Sequence, residues 1–113
     1  MDVERFRAEL REAGVEEMIG TLLDTFVEDA PMRFAALEQA TKNQDAKAVA
    51  TAAHAFKSGA GTIHATSLAA ALSNAETAGR TGQLESNAEL LEQIRAEYLA
   101  VVRELKAKPP NGN

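Results

Sequence analysis

Apolar residues recur every three or four positions along nearly the whole chain, the spacing by which an α-helix presents one face to a core. Val3, Phe6, Leu10 and Ala13 form a short first stripe, with Asp2 placed to cap it and Gly14 to stop it. A longer stripe starts after Val15 with Met18, Ile19, Leu22, Leu23, Phe26 and Ala30, and Phe34, Leu37 and Thr41 continue its phase. Pro31 interrupts it, removing the hydrogen bond to the Val27 carbonyl. Because the stripe stays in register across the proline, the pattern predicts one long kinked helix rather than two.

The polar run "KNQD" at 42–45 reads as a turn, and Asp45 is suited to cap a third helix. A fourth helix is predicted from about Thr66 through Leu68, Leu72 and Ala75 to Gly79, followed by a "GRTGQ" loop. Ser86 and Glu89 form a capping box ahead of a last helix with the stripe Leu90, Leu91, Ile94, Tyr98, Val101, Val102 and Leu105. Helices of this length joined by short polar turns predict an all-α fold, an antiparallel four-helix bundle with a short extra N-terminal helix. The bundle is expected over residues 1–106, with 107–113 a flexible tail.

Composition sharpens this picture in a few places. The apolar residues are mostly Ala and Leu and only 4% are aromatic, which favours helices packed at close range. The chain has no cysteine, so disulfides and thiolate metal sites are excluded. A net charge of −5, with the basic residues interspersed among acids, argues against a nucleic-acid partner. The charged start "MDVERFRAEL" has no apolar core of a signal peptide, and no apolar run is long enough to span a bilayer, so a cytoplasmic protein without membrane attachment is expected.

The stretch "AHAFKSGAGTIHA" at 53–65 breaks the pattern, because two interior glycines cost a helix roughly 2 kcal/mol relative to alanines. At about 100° per residue, Val49, Ala53, Phe56, Ala60 and Ile63 fall on one line, and His54 faces about 140° away, toward solvent. Its helical neighbours are Ala50, Lys57, Ser58 and Gly61, all small except the lysine. Gly61 therefore leaves the imidazole open to a bulky group. Gly59 points elsewhere and is read as a point of close packing against a neighbouring helix or a partner.

A solvent-exposed imidazole is mostly neutral at pH 7, so its ring nitrogen is a nucleophile without help from a base. A phosphoryl group there would carry a charge of about −1 to −2, and a lysine ammonium at ~4 Å would attract it by roughly 1 kcal/mol in water. His54 and Lys57 thus suit a nucleophile and an anion holder. An outward His beside an outward Lys is also what an ordinary solvated helix face presents.

The segment "HAFKSGAGTIHA" resembles the histidine phosphotransfer (HPt) family, whose signature is a His, a Lys three residues later, and then small residues including glycines. "LLDTFVEDAPMRFAALEQA" and "LAAALSNAETAGRTGQ" resemble the family's helices before and after it. The resemblance implies a four-helix bundle in which His54 is phosphorylated and Lys57 stabilises the phosphoryl group. It further implies a phosphocarrier that is not itself an enzyme and holds no cofactor. The phosphoryl group comes from a receiver-domain aspartate or a histidine kinase and passes to a response-regulator receiver, which brings the Mg²⁺ and acidic residues. Two positions depart from the family pattern. Ser58 stands where many members have Gly, placed to donate to phosphoryl oxygens or to cap backbone locally. His64 stands where Gly is frequent, and is read as a helix-terminal residue because it shares no face with His54.

Other readings are weaker on the residues. No His or acid spacing makes a metal site, and no phosphate-binding glycine loop supports autonomous ATP use. Glu28 and Asp29 form no evident hydrolase pair. The competing function is a helical adaptor that docks signalling partners without phosphotransfer. A monomer is expected, and Met1 with the "PPNGN" tail reads as a free-standing protein.

Overall fold

The computed structural model describes Arg5, Ala8, Glu9, Arg11 and residues 16–107, the side chains of 16–19 and 107 excepted. Within these residues the fold is four helices and no strands: α1 (Glu16–Lys42), α2 (Ala46–Thr62), α3 (Thr66–Thr81) and α4 (Asn87–Ala107). Each helix packs on two others, α1 and α3 both lying against α2 and α4. With short connections this is the up-down-up-down bundle. Arg5, Ala8, Glu9 and Arg11 have helical backbone. The rest of the expected N-terminal helix, with its Asp2 cap and Gly14 stop, and the tail from residue 108 lie outside the described residues.

Among the described residues, the stripes read from the sequence are the buried and partly buried faces. Leu23, Phe26, Ala30, Phe34 and Leu37 line the inner side of α1, and α2 contributes Val49, Ala53, Phe56 and Ala60. α1 runs unbroken through Pro31, which sits on its exposed side, where the carbonyl it leaves unbonded can be hydrated. Among the described residues the aromatic side chains form a chain of contacts in the core: Phe34 stacks on Tyr98 at 5.2 Å, Tyr98 meets Phe56 edge-on at 6.0 Å, and Phe56 lies tilted against Phe26 at 6.4 Å. Such pairs contribute about 0.5–1.5 kcal/mol beyond the burial of their area.

The helix ends follow one scheme. Asp45 caps α2 as expected, its carboxylate accepting the Ala48 N–H at 3.1 Å. α1, α2 and α3 each finish with a residue in the left-handed region, Gln44 (φ 53°), His64 (φ 60°) and Gly82 (φ 76°). At His64 the paired bonds of a Schellman motif are present: His64 N–H donates to the Gly61 carbonyl and Ala65 N–H to that of Ala60. His64 is therefore helix-terminal, as read from the sequence, in a conformation glycine adopts more readily.

One boundary differs from expectation. α3 does not stop at Gly79 but continues to Thr81, with Gly82 in the left-handed stop position. Gly79 is inside the helix because α2 leaves it no room: a Cβ there would lie 2.5 Å from the Ala50 nitrogen and 2.7 Å from the Ala46 carbonyl oxygen. Gly61, in contrast, has nothing within 4 Å of the same position. The same substitution should thus act with opposite sign at the two sites. Gly79→Ala is expected to lower stability by about 1–3 kcal/mol through overpacking against backbone. Gly61→Ala is expected to leave stability unchanged or raise it by up to about 1 kcal/mol through helix propensity. Urea unfolding of the two variants beside the parent checks this.

Candidate functional site

α2 and α3 carry an unusual distribution of charge. Between residues 46 and 81 stand Lys47, Lys57 and Arg80 but only one of the chain's seventeen acids, Glu76. That one is buried, its side chain 4% exposed, in the stripe Leu68, Leu72, Ala75, Gly79 that faces the core. A carboxylate so placed costs several kcal/mol unless it is paired and hydrogen-bonded. Glu76 is paired on both oxygens.

Lys57 reaches Oε1 from α2, with Nζ at 2.5 Å. Arg80, one turn along α3, places a guanidinium nitrogen 2.5 Å from Oε2. The same Oε2 lies 3.0 Å from Nδ1 of His54. The hydrogen bond from Lys57, above all, holds the Glu76 carboxyl below the usual carboxylate range; burial pushes the other way, and the Arg80 charge and the His54 contact add to the lowering. Glu76 is therefore ionised at neutral pH and acts as an acceptor, so the Nδ1 facing it is the nitrogen that carries the proton. In the neutral ring the lone pair is then on Nε2, on a side chain that is 61% exposed.

The other residues singled out in the sequence lie around this centre. Ser58 is exposed, and its hydroxyl donates to the His54 carbonyl one turn back at 3.1 Å. Gly61 is exposed and open, one side of the approach to His54. Ala50 is half-buried, and its backbone is the surface against which Gly79 packs. The close approach expected at Gly59 is not found within the bundle, since a methyl group there would meet only the Phe26 ring at 3.9 Å, an ordinary contact. It occurs at Gly79 instead, because the α2–α3 crossing is tight whereas Gly59 borders an open groove between α1 and α2. That groove, about 280 Å³ and lined by Phe26, Ser58, Gly59 and Thr62 among others, does not include His54.

Glu76 and Arg80 were not legible as site residues from the His54 motif. The available signal was a charged residue in phase with the apolar stripe of its helix, four residues after Leu72 and three before Gly79. Among the described residues no group of three His, Cys, Asp or Glu is arranged to hold a metal, and no helix is long and apolar enough to cross a membrane.

Because the folded-state pKa of Glu76 is lowered from 4.5, its contribution to stability is full above about pH 4.5 and is lost as pH falls through the lowered value. Glu76→Gln should destabilise the protein most at neutral pH. Urea midpoints of parent and variant, measured from pH 7 down to pH 3, should converge as the pH falls.

Comparison with known proteins agrees with this geometry. The profile of the Hpt domain family matches residues 21–104, which include all of α2 and α3. The crystal structure of histidine-containing phosphotransfer protein B (HptB) from Pseudomonas aeruginosa PAO1 has the same fold, with a TM-score of 0.85 and 35% sequence identity over 91% of this chain and 89% of that one. A search of curated proteins gives no match. With an exposed imidazole on a four-helix bundle and a family profile spanning most of its length, the chain belongs to the Hpt domain family.

Proposed function

We propose that the protein is a phosphocarrier of a two-component phosphorelay, with Nε2 of His54 as the atom that accepts and gives up the phosphoryl group. The observation that carries this reading is the 3.0 Å contact between Nδ1 and the ionised Glu76, which fixes the tautomer and leaves the solvent-facing nitrogen nucleophilic. The donor is a receiver-domain aspartate or a histidine kinase, and the acceptor a response-regulator receiver.

In the accepting step the Nε2 lone pair forms the P–N bond while the bond from phosphorus to the donor oxygen breaks and its electrons leave with that oxygen. The Nδ1 proton stays in place, so the ring becomes formally positive, opposite the Glu76 carboxylate. In the onward step the receiver's carboxylate attacks phosphorus, the P–N bond breaks, and neutral imidazole departs. Holding the Nδ1 proton matters here, because without it the leaving group would be the far more basic imidazolate. Glu76 supports both directions by the same hydrogen bond.

In this reading Lys57 shares its ammonium between Glu76 and the transferred group, and Ser58 turns its hydroxyl from the helix carbonyl toward a phosphoryl oxygen. Gly61 and the small residues about it admit the partner. The receiver brings the Mg²⁺ and the catalytic acids, and the carrier acts as a cytoplasmic monomer with residues 1–106 as its folded unit, a short N-terminal helix included. The docking face is α2 and α3, where the exposed charges are basic and the one acid is buried, a complement to an acidic partner site.

Transfer of labelled phosphate from a panel of phosphorylated receivers tests the proposal. An acid-labile, base-stable label is expected on the parent protein and absent from His54→Gln. Label retained in that variant would reject His54, and a folded protein that no receiver or kinase labels would favour the adaptor reading. Gly61→Arg should keep the fold and reduce the transfer rate tenfold or more by blocking approach, on the order of 1.4 kcal/mol of the barrier.

A further inference from the structure

Arg80 lies outside the motif that identifies His54, yet it shares an oxygen with it. Oε2 of Glu76 is 3.0 Å from His54 Nδ1 and 2.5 Å from a terminal nitrogen of Arg80, so guanidinium and imidazole are within two hydrogen-bond lengths of each other. The two cations approach from opposite directions. Lys57 is one turn from His54 toward the end of α2, whereas Arg80 follows Gly79, which packs against Ala50, one turn toward the start of α2.

The site also has a surplus of positive charge. One carboxylate is matched with two full cations, and no other acid lies between residues 46 and 81. Lys57 is a single donor centre, its side chain 32% exposed. Arg80 is 69% exposed, and its contact with Glu76 uses one terminal nitrogen of a group with five N–H donors. It can therefore keep Glu76 and still offer N–H groups to a second anion, with the bidentate geometry that suits phosphoryl oxygens.

We infer that Arg80 is a phosphoryl-binding residue, bridging Glu76 and the phosphoryl group on His54 so that the group is held between Arg80 and Lys57. This rests on the reading of His54 as the phosphorylated residue. Arg80 takes no part in bond making or breaking; it favours the phosphorylated state by pairing with the dianion.

Phosphoramidate, which phosphorylates histidines without a protein partner, gives a direct test by ³¹P NMR. The two histidines should give two signals, His54→Gln assigns them, and His64 serves as an internal competitor. Arg80→Gln is expected to lower the ratio of phospho-His54 to phospho-His64 by roughly two- to fivefold, and Arg80→Lys, which keeps the charge but not the bidentate fork, to restore only part of it. In the parent, the Arg80 side-chain NMR signal should shift on phosphorylation of His54. The Nδ1–H tautomer of the unphosphorylated His54 ring, read from its ¹⁵N signals, should be retained in Arg80→Gln. A ratio unchanged in a folded Arg80→Gln would overturn the inference, as would loss of that tautomer before phosphorylation, which would mean that Arg80 acts only through Glu76. If phospho-His54 forms but no receiver accepts the group, the relay reading fails while the ratio still decides the role of Arg80.

Discussion

The functional arrangement depends on how closely α3 can approach α2. At Gly79 the two backbones are too near to admit even a methyl group, the missing atom falling 2.5 Å from the Ala50 nitrogen. Ala50 is one turn before His54 and Gly79 one turn after Glu76, so this crossing sets the distance over which Glu76 must reach. Widening it would separate the carboxylate from the imidazole. The Ala-rich facing surfaces of α2 and α3 serve the same end, since small side chains are what allow helix axes to lie close.

That proximity makes a buried acid tolerable. Glu76 occupies a core position, and its desolvation is offset only because Lys57, Arg80 and His54 converge on it. Only His54 of these is mainly a chemical group rather than a counter-charge, and it is the one left with a free ring nitrogen. A structural ion cluster and the imidazole proposed as nucleophile are thus the same object: the interactions that satisfy the carboxylate also choose the tautomer. The rest of the bundle supplies rigidity. The aromatic contacts of Phe26, Phe34, Phe56 and Tyr98 lie on the inner side of α2, opposite the imidazole, and hold the helix that carries it.

The helix ends show a similar division between local rule and context. Asp45 caps α2 by the ordinary side-chain bond, and Gly82 ends α3 in the left-handed conformation that glycine favours. Gln44 and His64 adopt that conformation without being glycine, so their turns are maintained by the bonds and burial around them, such as the buried Ala60 and Ala65 that flank His64. Sequence rules that look for glycine therefore find one of these three stops, and they misplace it at Gly79, where smallness serves packing.

What the sequence by itself determined is the helical periodicity, and with it the core faces, the outward direction of His54 and the caps at Asp45 and in the "KNQD" turn. These are local properties, set by residues within one or two turns of each other. Tertiary structure alone decided which residues meet across helices. Glu76 lies twenty-two positions from His54, and nothing in the spacing within either helix specifies their contact. The burial of Glu76, its three partners, the place of Arg80 beside the imidazole and the need for Gly79 all follow from the α2–α3 crossing. A crossing is a property of two surfaces packed together, and the pattern along one helix does not contain it.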